Sequence, residues 1–168
     1  MNQRKNSQRL DKIDYKILKA VQKNGDYSVA QLANSVGLSA TPCWSRLQKL
    51  IQNKYIKQKV SLLNAEKIGM EVVVFVFITA KHERHWQEEF ESTVMEFSEI
   101  TECFRMSGRN DYLLKVQVSS VKDYDNFYKR LVSKIPIKKV NSSIALEQLK
   151  YTTELSLDKL KEIHQIKT

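Results

Sequence analysis

The chain has 168 residues, 42% of them hydrophobic, with 28 Lys and Arg against 19 Asp and Glu. That is apolar material for one domain or two small ones and excludes wholesale disorder, while the longest unbroken apolar run, Val72 to Ile78, is far short of the ~20 residues of a membrane span. The net charge of +9 lies wholly in residues 1–60, which hold 12 basic and 3 acidic side chains against 16 of each thereafter, so a uniformly basic coat protein is excluded in favour of a basic module joined to a neutral one.

Residues 1–9 are polar and basic without periodicity and read as a mobile arm; no apolar segment follows Met1-Asn2-Gln3-Arg4-Lys5, so no secretory signal is expected. From Leu10 the spacing of Ile13, Ile17, Ala20 and Val21 predicts a helix, with Asp11 as N-cap, Asp14 at the third helical position and Asn24-Gly25 as its end. Ser28-Val29-Ala30-Gln31 is a capping-box sequence opening a second helix through Leu32, Ala33 and Val36, which Gly37 stops. A third helix begins at Ser39-Ala40-Thr41-Pro42, where either hydroxyl residue can cap and Pro42 fits only the first turn. Trp44, Leu47, Leu50 and Ile51 continue it.

A short helix, a tight Gly turn and a helix with a polar start make a helix-turn-helix, whose last helix offers free N–H groups to phosphate and its first side chains to base edges. Ser28, Ser39, Thr41, Cys43, Trp44 and Arg46 form the candidate DNA-facing set, with Lys49 near the backbone. The alternative is a three-helix bundle with a solvated basic face, and three acids in 60 residues weigh against it. Trp44 fits the DNA interface or the helix core equally well. Residues 55–62 alternate apolar and polar side chains, predicting a half-buried strand that would serve as a wing, with Lys57 and Lys59 toward phosphates.

After a connector at 63–70, Val72–Ile78 reads as a buried strand. Trp86, Phe90, Val94 and Phe97 predict a helix; Ile100–Met106 and Tyr112–Val118 predict strands flanking the turn Ser107-Gly108-Arg109-Asn110-Asp111. Tyr124, Phe127, Tyr128 and Leu131 predict a second helix ended by Pro136, and Val140–Leu149 a last strand. This βαββαβ order implies an α+β, ferredoxin-like sheet covered by two helices on one face, whose open face and edges call for oligomerisation. Leu155, Leu157, Leu160 and Ile163 can extend a C-terminal helix within a tail at 151–168.

Ser39-Ala40-Thr41-Pro42-Cys43 in a helix-turn-helix, followed by Gly108-Arg109-Asn110-Asp111-Tyr112 in a ferredoxin-like domain, resembles the Lrp/AsnC family of bacterial regulators. Leu10-Asp11-Lys12-Ile13-Asp14 and Val36-Gly37-Leu38-Ser39 share the resemblance, which runs unbroken over residues 10–155. It implies a winged helix-turn-helix DNA-binding domain at 10–62, a linker at 63–70, and an effector-binding and oligomerisation domain at 71–150. It also implies a sequence-specific transcription regulator of double-stranded DNA, assembled as a homo-dimer, tetramer or octamer. An amino-acid effector is implied at Gly108, Arg109, Asn110, Asp111 and Tyr112. Chemically, Gly108 allows close backbone approach and Asp111 offers a carboxylate to an ammonium group; an ordinary hairpin turn with a solvated Asp is the alternative. Ser142-Ser143-Ile144-Ala145-Leu146 and Tyr151-Thr152-Thr153 are similar to the branch containing cysteine-responsive and branched-chain-degradation activators. Ala40 and Ile137 replace a Pro and a Gly frequent in the family.

His82 and His85, with Glu88 and Glu89, have a spacing that could hold a metal, but no Cys or Asp completes a tetrahedral set, and a polar helix end explains them better. Cys43 and Cys103, 60 positions apart, make no disulfide framework; they are packing thiols or redox switches. No nucleophile with a base, P-loop or Rossmann glycine pattern supports an enzyme, and no cofactor is implied. A nucleoid-like architectural protein, binding DNA by charge alone, is the remaining alternative. A cytoplasmic location without membrane attachment is expected.

Overall fold

The computed structural model describes residues 9–81 and 85–166. All but the last residue of the expected basic arm lie outside these, as does His82. The chain divides into two compact units, Met1–Leu62 together with Lys150–Thr168, and Leu63–Leu149.

The first unit is built on helices α1 (Lys12–Lys23), α2 (Val29–Val36) and α3 (Ala40–Gln52). Asp11 caps α1 by accepting from the Ile13 and Asp14 amides, while the Asp14 carboxylate accepts from the Asp11 amide. Ser28 and Gln31 make the same reciprocal box at α2, satisfying amides that a helix start leaves without partners. Gly37 ends α2 at φ +77°, a left-handed conformation that any side chain would strain. Of the two candidate caps for α3, Ser39 holds the position, with no side-chain cap bond, and Pro42 falls in the first turn.

Ile17, Leu18, Leu32, Ala33, Val36, Cys43 and Leu50 are the buried core of the three helices, together with Leu10. Each large side chain fully removed from water stabilises by ~1.5–3 kcal/mol. Tyr55 and Ile56 pack against this core, but no strand forms over residues 55–62. The alternation there is real, yet the segment finds no ladder to pair with, and Lys57 and Lys59 are simply exposed. The segment expected as a tail also joins this unit: α6 (Asp158–His164) places Leu157, Leu160 and Ile166 against the same core.

The second unit is a four-stranded antiparallel sheet in the order β2-β3-β1-β4, built from β1 (Val72–Thr79), β2 (Ile100–Arg105), β3 (Tyr112–Val118) and β4 (Lys139–Ile144). Helices α4 (Trp86–Glu96) and α5 (Val121–Lys134) supply Phe90, Val94, Phe127 and Leu131 to a core with Val74, Val76 and Ile78 of β1 and alternate residues of β3. β1 is apolar from Val72 to Ile78 because both its faces are hydrophobic. Val73, Phe75 and Phe77 point away from the core residues, half-buried, where Leu113 and Phe104 continue the patch across β3 and β2. Phe104 is 47% exposed on the edge strand β2. β4 is shorter than the apolar pattern predicts: Ile144 pairs with Val74 and the Ala145 amide donates to Val73, where β1 itself begins to run out.

Candidate nucleic-acid interface and effector cleft

α3 divides into two faces. Cys43, Leu47 and Leu50 point inward, Cys43 and Leu50 fully buried, whereas Thr41, Trp44, Ser45 and Gln52 are exposed and Gln48 is half-buried. Trp44, half exposed, therefore sits on the outer surface rather than in the helix core, and Ser39 and Thr41 lie beside it at the helix start. One expectation is corrected. Cys43 cannot reach a groove, because its position in the helical repeat turns it into the core, where burial pushes its thiol pKa up. Arg46 has partners within the unit: Nη1 donates to Asp11 Oδ2 at 2.6 Å and to Asp14 Oδ1 at 2.9 Å, tying α3 to the start of α1.

The electrostatics of that tie are mutual. Burial raises the Asp11 pKa, but hydrogen bonds from the Asp14 amide and Arg46, with the guanidinium charge, outweigh it and leave the carboxyl below its ordinary value. The same two carboxylates hold the Arg46 proton more firmly than usual. Among the remaining expected DNA residues, Ser28 spends its oxygen on the α2 cap, Lys49 is exposed, and Lys59 lies 3.5 Å from Asp26 in a solvent-exposed pair. The sequence-derived set missed Ser45 and Gln48, although their four-residue spacing from Thr41 and Trp44 marks the outer face.

In the second unit a cleft of about 270 Å³, near the lower end for small-molecule sites, is lined by Ala80, Trp86, Gln87, Arg105, Met106, Asp111 and Tyr112. Asp111 is its fixed point. Its carboxylate accepts from the Ala80 amide at 2.8 Å, its own amide donates to Ile78 O, and its carbonyl accepts from the Met106 amide. Gly108 takes φ +123° in the turn leading there; Gly108 and Arg109 are exposed, Asn110 is half-buried, and none of the three forms the cleft wall. Tyr112 contributes a buried ring, packed 4.4 Å from Phe90, and burial raises its phenol pKa. Trp86 stacks on Phe90 at 4.9 Å and donates its indole N–H to Pro136 O, so its polar edge is satisfied. Ala80, Trp86, Gln87, Arg105 and Met106 were not singled out as site residues from the sequence; they come from the end of β1, the start of α4 and the end of β2, which only the fold brings together.

Elsewhere, His85 pairs with Glu88 at 3.2 Å, and among the described residues no three His, Cys, Asp or Glu side chains cluster as metal ligands would. Cys103, on β2, is exposed, and its thiol pKa is raised by partial burial and by the Glu91 carboxylate. No helix among the described residues is long and apolar enough to cross a membrane.

Comparison with known proteins covers both units. Residues 73–155 match the Lrp/AsnC ligand binding domain and residues 10–57 the winged helix-turn-helix DNA-binding family. The chain is 45% identical over 151 residues, 89% of its length and 99% of the relative's, to the DNA-binding transcriptional activator DecR of Escherichia coli (strain K12). It superposes on the crystal structure of an AsnC family transcriptional regulator from Agrobacterium tumefaciens with TM-score 0.86 and 48% identity, covering 90% of this chain and 99% of that one. It also matches the transcriptional regulator NMB0573/L-Met complex from Neisseria meningitidis with TM-score 0.87 and 31% identity, over 90% and 99% of the two chains.

Proposed function

The chain belongs to the Lrp/AsnC family of DNA-binding transcription regulators, and from that premise we propose that it reads duplex DNA with the outer face of α3 and alters its binding when an amino acid occupies the Asp111 cleft. The observation that carries the DNA reading is the split of α3: Cys43 and Leu50 anchor the helix, which leaves Thr41, Trp44, Ser45 and Gln48 to enter a major groove. Gln48 is the side chain there with a donor and acceptor pair suited to adenine, Trp44 offers an apolar surface to thymine methyl groups, and Lys49, Lys57 and Lys59 supply phosphate contacts.

In the cleft, a zwitterion finds both of its charges met. Asp111 receives the α-ammonium group, Arg105 the α-carboxylate, and Trp86 with Met106 the side chain. The L-Met in the NMB0573 complex is an amino acid of that size and character. The half-buried Val73, Phe75, Phe77 and Leu113 fit a second copy of the chain, making a homo-dimer that pairs two α3 helices; tetramers and octamers build from it. The cytoplasm, where bacterial DNA lies, is the working compartment.

A thermal-shift screen of the twenty amino acids, run on the wild-type chain and on Asp111→Asn, tests the effector half. The substitution keeps an oxygen for the Ala80 amide and removes the charge. At least one amino acid should stabilise the wild type and leave the variant unmoved; equal stabilisation of both would defeat the assignment.

A further inference from the structure

The C-terminal helix is the feature of this chain that its assigned parts leave unexplained. α6 lies beyond residue 155, where the ligand-domain match ends, and DecR is matched over 99% of its length but only 89% of this chain. Nevertheless α6 is tightly built into the first unit. Gln22 of α1 makes a two-way pair with Leu155, its amide donating to Leu155 O and its oxygen accepting from Leu155 N, both at 3.1 Å. His164, 8% exposed, accepts at Nδ1 from the Leu10 amide at 3.1 Å and sets its ring edge-on to Tyr55. Lys161 Nζ lies 5.0 Å over the Tyr15 ring.

The end of α6 then grips Arg9. Arg9 Nε donates to His164 O at 3.1 Å and Nη2 to Gln165 Oε1 at 2.6 Å, Gln165 being turned into the left-handed region at φ +52°. These two bonds use two of five guanidinium N–H groups and leave the rest for another acceptor. Arg9 and Lys49 border one cleft of about 290 Å³ between α1 and α3, next to Ser45 on the outer face of α3. The acids in that cleft, Asp11 and Asp14, share the one guanidinium of Arg46, so that with Arg9 and Lys49 the lining holds three cations against two carboxylates, and Lys49 has no ion-pair partner among the described residues. Two cations with unspent donors thus flank the helix that meets the bases, the arrangement that seats a phosphodiester.

We propose that this α1/α3 cleft is a DNA backbone phosphate site in which Arg9 joins Lys49, and that the C-terminal helix serves as the brace that holds Arg9 there. The proposal rests on the reading that α3 enters the groove of duplex DNA. Arg9 is the contact, and His164 and Gln165 are positioning residues that act through it.

The test is the salt dependence of binding, by the full-length chain, to a fluorescent 30-base-pair duplex of random sequence. Arg9→Ala should lower the slope of log K against log salt by about 0.9, one phosphate contact. Gln165→Gly, which keeps the left-handed backbone and deletes the side-chain acceptor, and His164→Leu, which removes the Leu10 partner, should each lower it in the same direction. His164→Asn, whose oxygen can replace Nδ1 as acceptor, should recover the wild-type slope. An unchanged slope in Arg9→Ala overturns the site. Loss of thermal stability in His164→Leu with an unchanged slope overturns the brace and leaves α6 a structural helix. Trp44→Ala and Gln48→Ala serve as the reference: if they too leave binding to DNA selected by the wild type unaltered, the α3 reading itself fails, which is a separate outcome.

Discussion

Replacing Arg46 with Ala separates a structural arginine from a base-reading one. The side chain is 35% exposed and holds Asp11, 49% exposed, and Asp14, 15% exposed, through one nitrogen. Exposed ion pairs contribute ~0.2–1 kcal/mol each, and the more buried Asp14 pair belongs at the upper end. The carboxylates also keep their amide donors at the α1 cap, so their loss of the guanidinium is cushioned. The sum is ~1–2 kcal/mol, or a fall of roughly 4–16 °C in the melting of the first unit at ~4–8 °C per kcal/mol. Asp11 has a lowered folded pKa, so its contribution is present above the unfolded carboxylate range and lost as pH falls through the folded value. The wild type should therefore lose stability below about pH 4, and Arg46→Ala should show a flatter acid limb. Thermal melts at pH 7 and pH 3.5, beside binding to selected and random duplexes, measure all of this. An unchanged melting temperature with a ~1–3 kcal/mol loss of discrimination at a single base pair would refute the structural assignment and restore Arg46 to the groove.

Phe77→Asp puts a charge in the half-buried patch on the open sheet face and should convert the proposed homo-dimer to monomer in sedimentation; an assembly state unaltered from the wild type would place any interface elsewhere. Thiol labelling should modify Cys103 slowly, with its raised pKa, and leave Cys43 protected until the first unit unfolds. Fast labelling of Cys43 in the folded chain would show that α3 is not packed as described.

Much of the architecture was legible because local chemistry and global fold agree. The Asp11 and Ser28 caps, the Gly37 stop, and the two-residue repeat of Leu114, Val116 and Val118 are set by hydrogen-bond and side-chain geometry within a few residues. What failed depended on partners distant in sequence. Residues 55–62 alternate as a strand does, but a strand needs a neighbour. Arg46 has the composition of a DNA contact, and only the fold shows the two aspartates more than thirty positions away. Cys43 and Trp44 are adjacent, and which of them faces inward is decided by the phase of the helix against Leu47 and Leu50. The wall of the effector cleft was hidden for the same reason: Asp111 was marked by its turn, while Trp86 and Arg105 reach it through α4 and the β2–β3 register. The neutral charge of residues 61–168 likewise concealed that the last of them complete the basic unit.

The proposed coupling makes one ligand-binding unit govern one DNA-binding unit. It is tested most directly by measuring the Kd for a duplex selected by the wild type, with and without a saturating amino acid found in the stabilisation screen. A coupled regulator should change its Kd by roughly 5–150-fold, or shift its footprint correspondingly, and Asp111→Asn should abolish the change. An amino acid that binds yet leaves both Kd and footprint the same, with equal affinity for random DNA, would contradict the account and make the chain an architectural DNA-binding protein.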